Sequence, residues 1–124
     1  MLGNTKLWYA HDPIIETTTP VNPQTSIGRK FDQDKPRYSL IPSLALEEVV
    51  HVLTYGSQKY EDFNWKYVDQ AEDRYFSAAN RHLWQWKRGE KLDEETKRNH
   101  LASVITNLMF ILELELEKEQ KNNV

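Results

Sequence analysis

Apolar residues recur at helical spacing along most of the chain beyond residue 42. Leu46, Val49, Val50 and Leu53 fall at i, i+3, i+4 and i+7, one stripe of a helix. Ser43 stands before them as a candidate N-cap, so a first helix is predicted from Ser43 to about Tyr60, weakened late by Gly56. Asp69 and Glu72 have capping-box spacing, and Gly89 is a natural stop, which predicts a second helix from Asp69 to about Arg88. There Tyr75, Ala79, His82 and Trp86 share one face, and Arg74, Arg81 and Gln85 another. Asp93 is placed to cap a third helix reaching about Glu119, with Glu94 and Glu95 in its first turn. Its apolar stripe is Leu101, Val104, Ile105, Leu108, Ile111 and Leu112, bordered by a polar stripe of His100, Ser103 and Asn107. The pattern predicts an all-α fold, an antiparallel helical bundle whose broad apolar faces call for completion by a short helix or a second subunit.

Ahead of these helices the periodicity fails. Pro13, Pro20 and Pro23 are spread through residues 1–28, which read as an extended or partly disordered arm, with Trp8 and Tyr9 available to anchor it. Residues 29–124 form the expected helical domain. Its opening loop packs Lys30, Asp32, Asp34, Lys35 and Arg37 between hydrophobic positions, with Pro36 and Pro42 stiffening it. A solvated charge run is the ordinary reading of such a segment; a pinned one holds its charges at fixed places.

Composition narrows the function. The net charge of −3 argues against duplex nucleic acid as the main partner. No apolar run has the length of a membrane span. Without cysteine there is neither disulfide nor thiolate chemistry. No glycine-rich phosphate loop or nucleophile elbow is present.

Four groups could carry chemistry. Glu47 and Glu48 lie a helical turn from His51, so carboxylates and an imidazole can converge on a hard cation; glutamate pairs on solvated faces are also common. His100, Ser103 and Asn107 border a buried face, where they must bond each other or a ligand. His82 sits on the apolar face of the second helix, where a hydrogen-bonded core histidine is the plainer reading, and Arg74 and Arg81 could clamp phosphate or pair with acids. Trp65, beside Asn64 in a loop, is placed to stack on or read a base, while Trp84 and Trp86 read as packing.

Taken together, Arg29-Lys30-Phe31-Asp32, Lys35 through Pro42, Ala45-Leu46-Glu47-Glu48-Val49, Leu53 through Gly56, Lys59-Tyr60 and Asn64-Trp65 form a recognisable series. Arg81 through Trp86, Arg88-Gly89-Glu90, Asp93, His100-Leu101-Ala102 and Asn107-Leu108 continue it. The series resembles the phage dATP/dGTP diphosphohydrolase N-terminal family over about residues 28–116. The resemblance implies a MazG-like all-α nucleotide pyrophosphohydrolase. Such an enzyme cleaves a purine deoxynucleoside triphosphate to monophosphate and pyrophosphate, using Mg2+ or Mn2+, as a homodimer or higher homo-oligomer, in the host cytoplasm. It implies Glu47, Glu48 and His100 as catalytic, with Glu48, His51 and His100 on metal. It further implies Lys30, Asp32, Lys35, Arg37, Lys59, Asn64, Trp65 and Arg81 on substrate. MazG-like enzymes place metal acids as E-x-x-E and E-x-x-D; here those positions fall on Glu48 with His51 and on His100 with Ser103. His51 and Ser103 depart from the pattern, which favours a softer metal or an alternative, a non-catalytic nucleotide-sequestering phage protein. A structural helical module is a third reading, against which the charge-dense loop argues.

Overall fold

In a computed structural model the described residues are 27–123. They contain α1 (Ser43–Lys59), α2 (Ala71–Lys87) and α3 (His100–Asn122), with short 3-10 turns at Tyr38–Leu40 and Asn64–Tyr67 and no strand. The fold is all-α. The expected arm, including Trp8 and Tyr9, lies outside the described residues. The chain divides into two units, 1–37 and 38–124. In the first, residues 27–37 are exposed, and a turn closes through Lys35 N–H donating to the Asp32 carbonyl at 3.0 Å.

In the second unit α3 is the central element, packing along α2 and, less extensively, against α1. The helix bodies fall where the periodicity places them; the N-terminal caps do not. Ser43 is the first helical residue of α1, and extended Pro42 stands at its N-cap with no side-chain cap. The capping box at α2 does not form, because Gln70 adopts the left-handed region (φ 54°) and its own carbonyl begins the helix ladder, accepting Arg74 N–H at 3.1 Å. Asp69 is thereby one residue out of register for capping.

The largest departure is at α3, which begins at His100 and not at Asp93. Residues 91–99 instead fold back on themselves. Leu92 and Asn99 form an antiparallel bridge, Asp93 N–H donates to Arg98 O at 2.7 Å, and Lys97 turns through φ 63°. The Asp93 carboxylate does cap something, accepting from Thr96 N–H (2.9 Å) and Oγ1 (3.0 Å), but the capped feature is this tight turn. Asn99 caps the helix, its Oδ1 accepting Leu101 N–H at 2.8 Å. At the other side of the loop Gly89 (φ 107°) ends α2 as expected. Glu90 N–H reaches Gln85 O and Gly89 N–H reaches Trp86 O, both at 3.0 Å, the Schellman pattern.

Burial corrects the stripes as well. Val49, Ala79, Ala102 and Val104 form the buried apolar core, joined by His100, Ser103 and Thr106. On α1, Leu46 and Val50 stay 42% and 48% exposed, and on α3 Leu108 and Leu112 stay 49% and 54% exposed. The polar stripe of α3 faces inward, while much of its apolar stripe has no cover within the described residues.

Candidate functional site

The inward polar stripe meets α2 at His82. The Nδ1 atoms of His82 and His100 face one another at 2.8 Å, with ring centroids 5.0 Å apart. His100 is fully buried, and its Nε2 lies 3.0 Å from Glu90 Oε2. The fold-back after α2 carries Asp93 to the same point. One ligating atom each from His82, Asp93 and His100 lie within 4.8 Å of one another. Three pieces of chain thus converge: the middle of α2, the turn, and the first residue of α3. Burial lowers the affinity of His82 for a proton, with His100 and Arg81 adding to the effect against Asp93 and Glu95. For Asp93 burial acts upward, but the hydrogen bonds from Thr96, and the two histidines, hold its carboxyl below the ordinary range. The donor set, two imidazoles and a carboxylate, fits a divalent transition ion better than an oxygen-seeking magnesium.

His82 and Asp93 also line a cleft of about 1100 Å³ that runs between the later part of α1, the Asn64–Tyr67 turn, α2 and α3. Lys59, Asn64, Trp65 and Arg81, four of the expected substrate residues, line the same cleft, as do Ser103 and Asn107. Arg81 is exposed and makes no ion pair among the described residues. Lys59 is committed, its Nζ 2.5 Å from Glu95 Oε2, which also accepts from Tyr55 OH at 2.8 Å. Those two bonds, Lys59 first, hold the Glu95 carboxyl below its usual range, and the Lys59 ammonium is held correspondingly firmly protonated. Trp65 is half-buried, with one indole face stacked on Phe110 (centroids 4.6 Å, planes 12° apart) and its carbonyl accepting from Tyr75 OH at 2.9 Å. One face of the ring is therefore taken by the protein itself.

Glu47, Glu48 and His51 are not among the residues that line the cleft. Glu48 Oε2 pairs with Arg98 at 3.2 Å, and Glu47 Oε2 stands 3.9 Å from His51 Nε2. Among the described residues the ligand atoms gathered about His100 come from His82 and Asp93; Glu48 and His51 are not in that group. Lys30, Asp32, Lys35 and Arg37 are exposed residues of the first unit. The sequence alone presents Asp93 and Glu95 as helix-start residues, Glu90 as part of the stretch after the α2 stop, and His82 as core. The available signal was the short charged segment between the Gly89 stop and His100, a length suited to a tight return.

Fold and cleft together define a class: an all-α domain whose polar helix stripe opens on a histidine-bordered cleft. The sequence profile of the family described as dATP/dGTP diphosphohydrolase, N-terminal, matches residues 25–124, and the chain belongs to that family. It is similar to a dATP/dGTP diphosphohydrolase of Salmonella phage PMBT28, 39% identical over 84 residues, which are 68% of this chain and 28% of the phage protein. The matched stretch therefore spans less than a third of that relative's length. No solved structure matches the chain.

Proposed function

We propose that the domain hydrolyses a purine deoxynucleoside triphosphate, dATP or dGTP, between its α and β phosphates, releasing monophosphate and pyrophosphate in the host cytoplasm. The observation that carries this reading is one cleft holding an exposed guanidinium, an amide and an indole beside a histidine–carboxylate cluster. Membership of the family, and the activity named for the phage relative, supply the substrate class.

Arg81 meets phosphate oxygens, its planar fork suited to two at once. Lys59 lies close by, oriented by Glu95, and adds positive charge along the cleft. Asn64 bonds a base edge, and Trp65, stacked on Phe110 and with Lys66 Nζ 5.7 Å from its ring centroid, contributes indole surface to the purine ring. A divalent ion, Mg2+ or Mn2+, when bound offsets phosphate charge and lowers the pKa of a bound water. His82, Asp93 and His100 would hold Mn2+ in preference to Mg2+. Glu47 and Glu48, with His51 a turn away, remain proposed as a further carboxylate source. The uncovered leucines of α3 support assembly as a homodimer or higher homo-oligomer. No described helix is long and apolar enough to cross a membrane.

Pyrophosphate release from the common ribo- and deoxyribonucleoside triphosphates, with Mg2+ or Mn2+ and again after chelation, tests the reading. Metal-dependent release from dGTP or dATP is expected. No release, with nucleotide still raising the melting temperature, overturns it in favour of a nucleotide-sequestering protein. Ser103, buried in the cleft wall at a position where the family resemblance calls for a metal ligand, is the observation that favours that second reading.

A further inference from the structure

We propose that His82, Asp93 and His100 form a binding site for a single first-row transition-metal ion, selective against Mg2+, with Glu90 as a positioning residue. The ligand geometry alone carries the site; only its use in hydrolysis rests on the function proposed above.

The site is built outward from His100. Its ring is fully buried, so its orientation is set by packing, and its Nε2 stands 3.0 Å from a Glu90 carboxylate oxygen. A carboxylate at that distance accepts the Nε2 proton and leaves Nδ1 with an unprotonated lone pair. Metal-bound histidines are fixed this way, the far nitrogen donating to a carboxylate while the near one ligates. The Nδ1 of His100 points at the Nδ1 of His82, 2.8 Å away. One proton between them would satisfy both rings, and nothing further would be needed. Yet Asp93 is brought to the same point with a ligand atom within 4.8 Å of both. It does so while using only Oδ2 on the Thr96 turn, and its other oxygen makes no hydrogen bond among the described residues. An imidazole nitrogen from each ring and a carboxylate oxygen gathered within 4.8 Å, with one Asp93 oxygen free of hydrogen bonds among the described residues, describe a cation site better than a hydrogen-bonded pair.

The donor set also chooses the ion. Magnesium demands an oxygen octahedron and keeps its waters, whereas imidazole suits manganese, iron, cobalt and zinc. Three protein ligands leave coordination positions open, and His82 and Asp93 face the cleft, so those positions are open to water or to phosphate oxygen.

The test uses the whole chain, stripped of metal with a chelator and titrated with Co2+, following ligand-field absorption and bound metal by mass spectrometry. One Co2+ per chain is expected, displaced by Zn2+ and retained in a large excess of Mg2+. Asp93→Asn, which keeps an acceptor for Thr96, and His82→Gln should each abolish the absorption, and Glu90→Gln should weaken binding roughly 10- to 100-fold. In the unaltered protein, nitrogen-detected NMR of the four histidines (His11, His51, His82 and His100) should show Zn2+ shifting the ring signals of His82 and His100 alone. No Co2+ binding, unchanged binding in both variants, or Zn2+ shifts at other histidines overturns the site. Bound Co2+ without pyrophosphate release would sink the hydrolase reading and leave the site standing. Release with Mg2+ in a protein that binds no Co2+ would do the reverse.

Discussion

Two regions of this domain gather acids and histidines, and they do so by opposite means. On α1, Glu47, Glu48 and His51 are neighbours because a helix puts residues three and four apart side by side. Each stays partly exposed and finds a near partner, Arg98 for Glu48 and His51 for Glu47. At the α2–α3 connection, His82, Asp93 and His100 come together through a tight turn, and one of them is fully buried. The first arrangement is visible in any register of a helix; the second exists only if the turn forms. The contrast teaches that local spacing produces many candidate clusters, while long-range convergence of buried groups is costly and therefore informative.

Breaking the turn gives the largest expected effect. Asp93→Ala removes both bonds accepted from Thr96 and the anionic oxygen at the cluster. Pyrophosphate release should fall by more than about 100-fold, with about 1–2 kcal/mol of stability lost in denaturant melts. Retention of activity would return the chemistry to α1. Arg81→Ala comes next. Loss of a charged hydrogen-bonding group at phosphate is worth about 1.5–3 kcal/mol, so kcat/KM should drop roughly 10- to 100-fold, read from substrate titrations. Arg81→Lys should recover only part of it.

Glu48→Gln sharpens the comparison from the other side. Its pair with Arg98 is half-exposed, so the change should cost no more than about 1 kcal/mol of stability. Turnover should fall far less than in Asp93→Ala; an equal fall would put the α1 acids on the metal. The smallest effect is electrostatic. Glu95 is held below the usual carboxylate range by Lys59 and Tyr55, so its contribution is full above the ordinary carboxylate pKa and fades as pH falls through the lowered value. Melting temperatures of the wild type and Glu95→Gln should differ at neutral pH and converge in acid. A constant gap across that range would show that the carboxylate charge is not what matters.

How far the sequence could be read follows the same division. The bodies of α1 and α2 and the stop at Gly89 were legible because periodicity and a left-handed glycine are local properties. The sequence marks Arg81, Asn64 and Trp65 as candidates for one ligand, and all three line one cleft. The start of α3 was not legible, since an aspartate before two glutamates reads as a helix cap, and only the left-handed Lys97 and the competing Asn99 cap reveal a turn. His82 reads as a core histidine because its neighbours on one face of α2 are apolar. Asp93 could not be joined to it without knowing that the chain returns. The apolar stripe of α3 reads as a face in need of cover, and within the described residues much of it has none: periodicity reports a face, never what covers it.

The turn also sets how quickly the cluster can come apart. The His100 amide is held by Lys91 O at 2.8 Å, across the mouth of the fold-back. Lys97, a residue with a Cβ, is kept in a conformation that costs it about 1–2 kcal/mol. The segment therefore stores a small tendency to open, and opening would separate Asp93 from both imidazoles without unfolding any helix. Amide exchange at His100 becomes a clock for that event: slow when an ion ties the three side chains together, fast when it is stripped away.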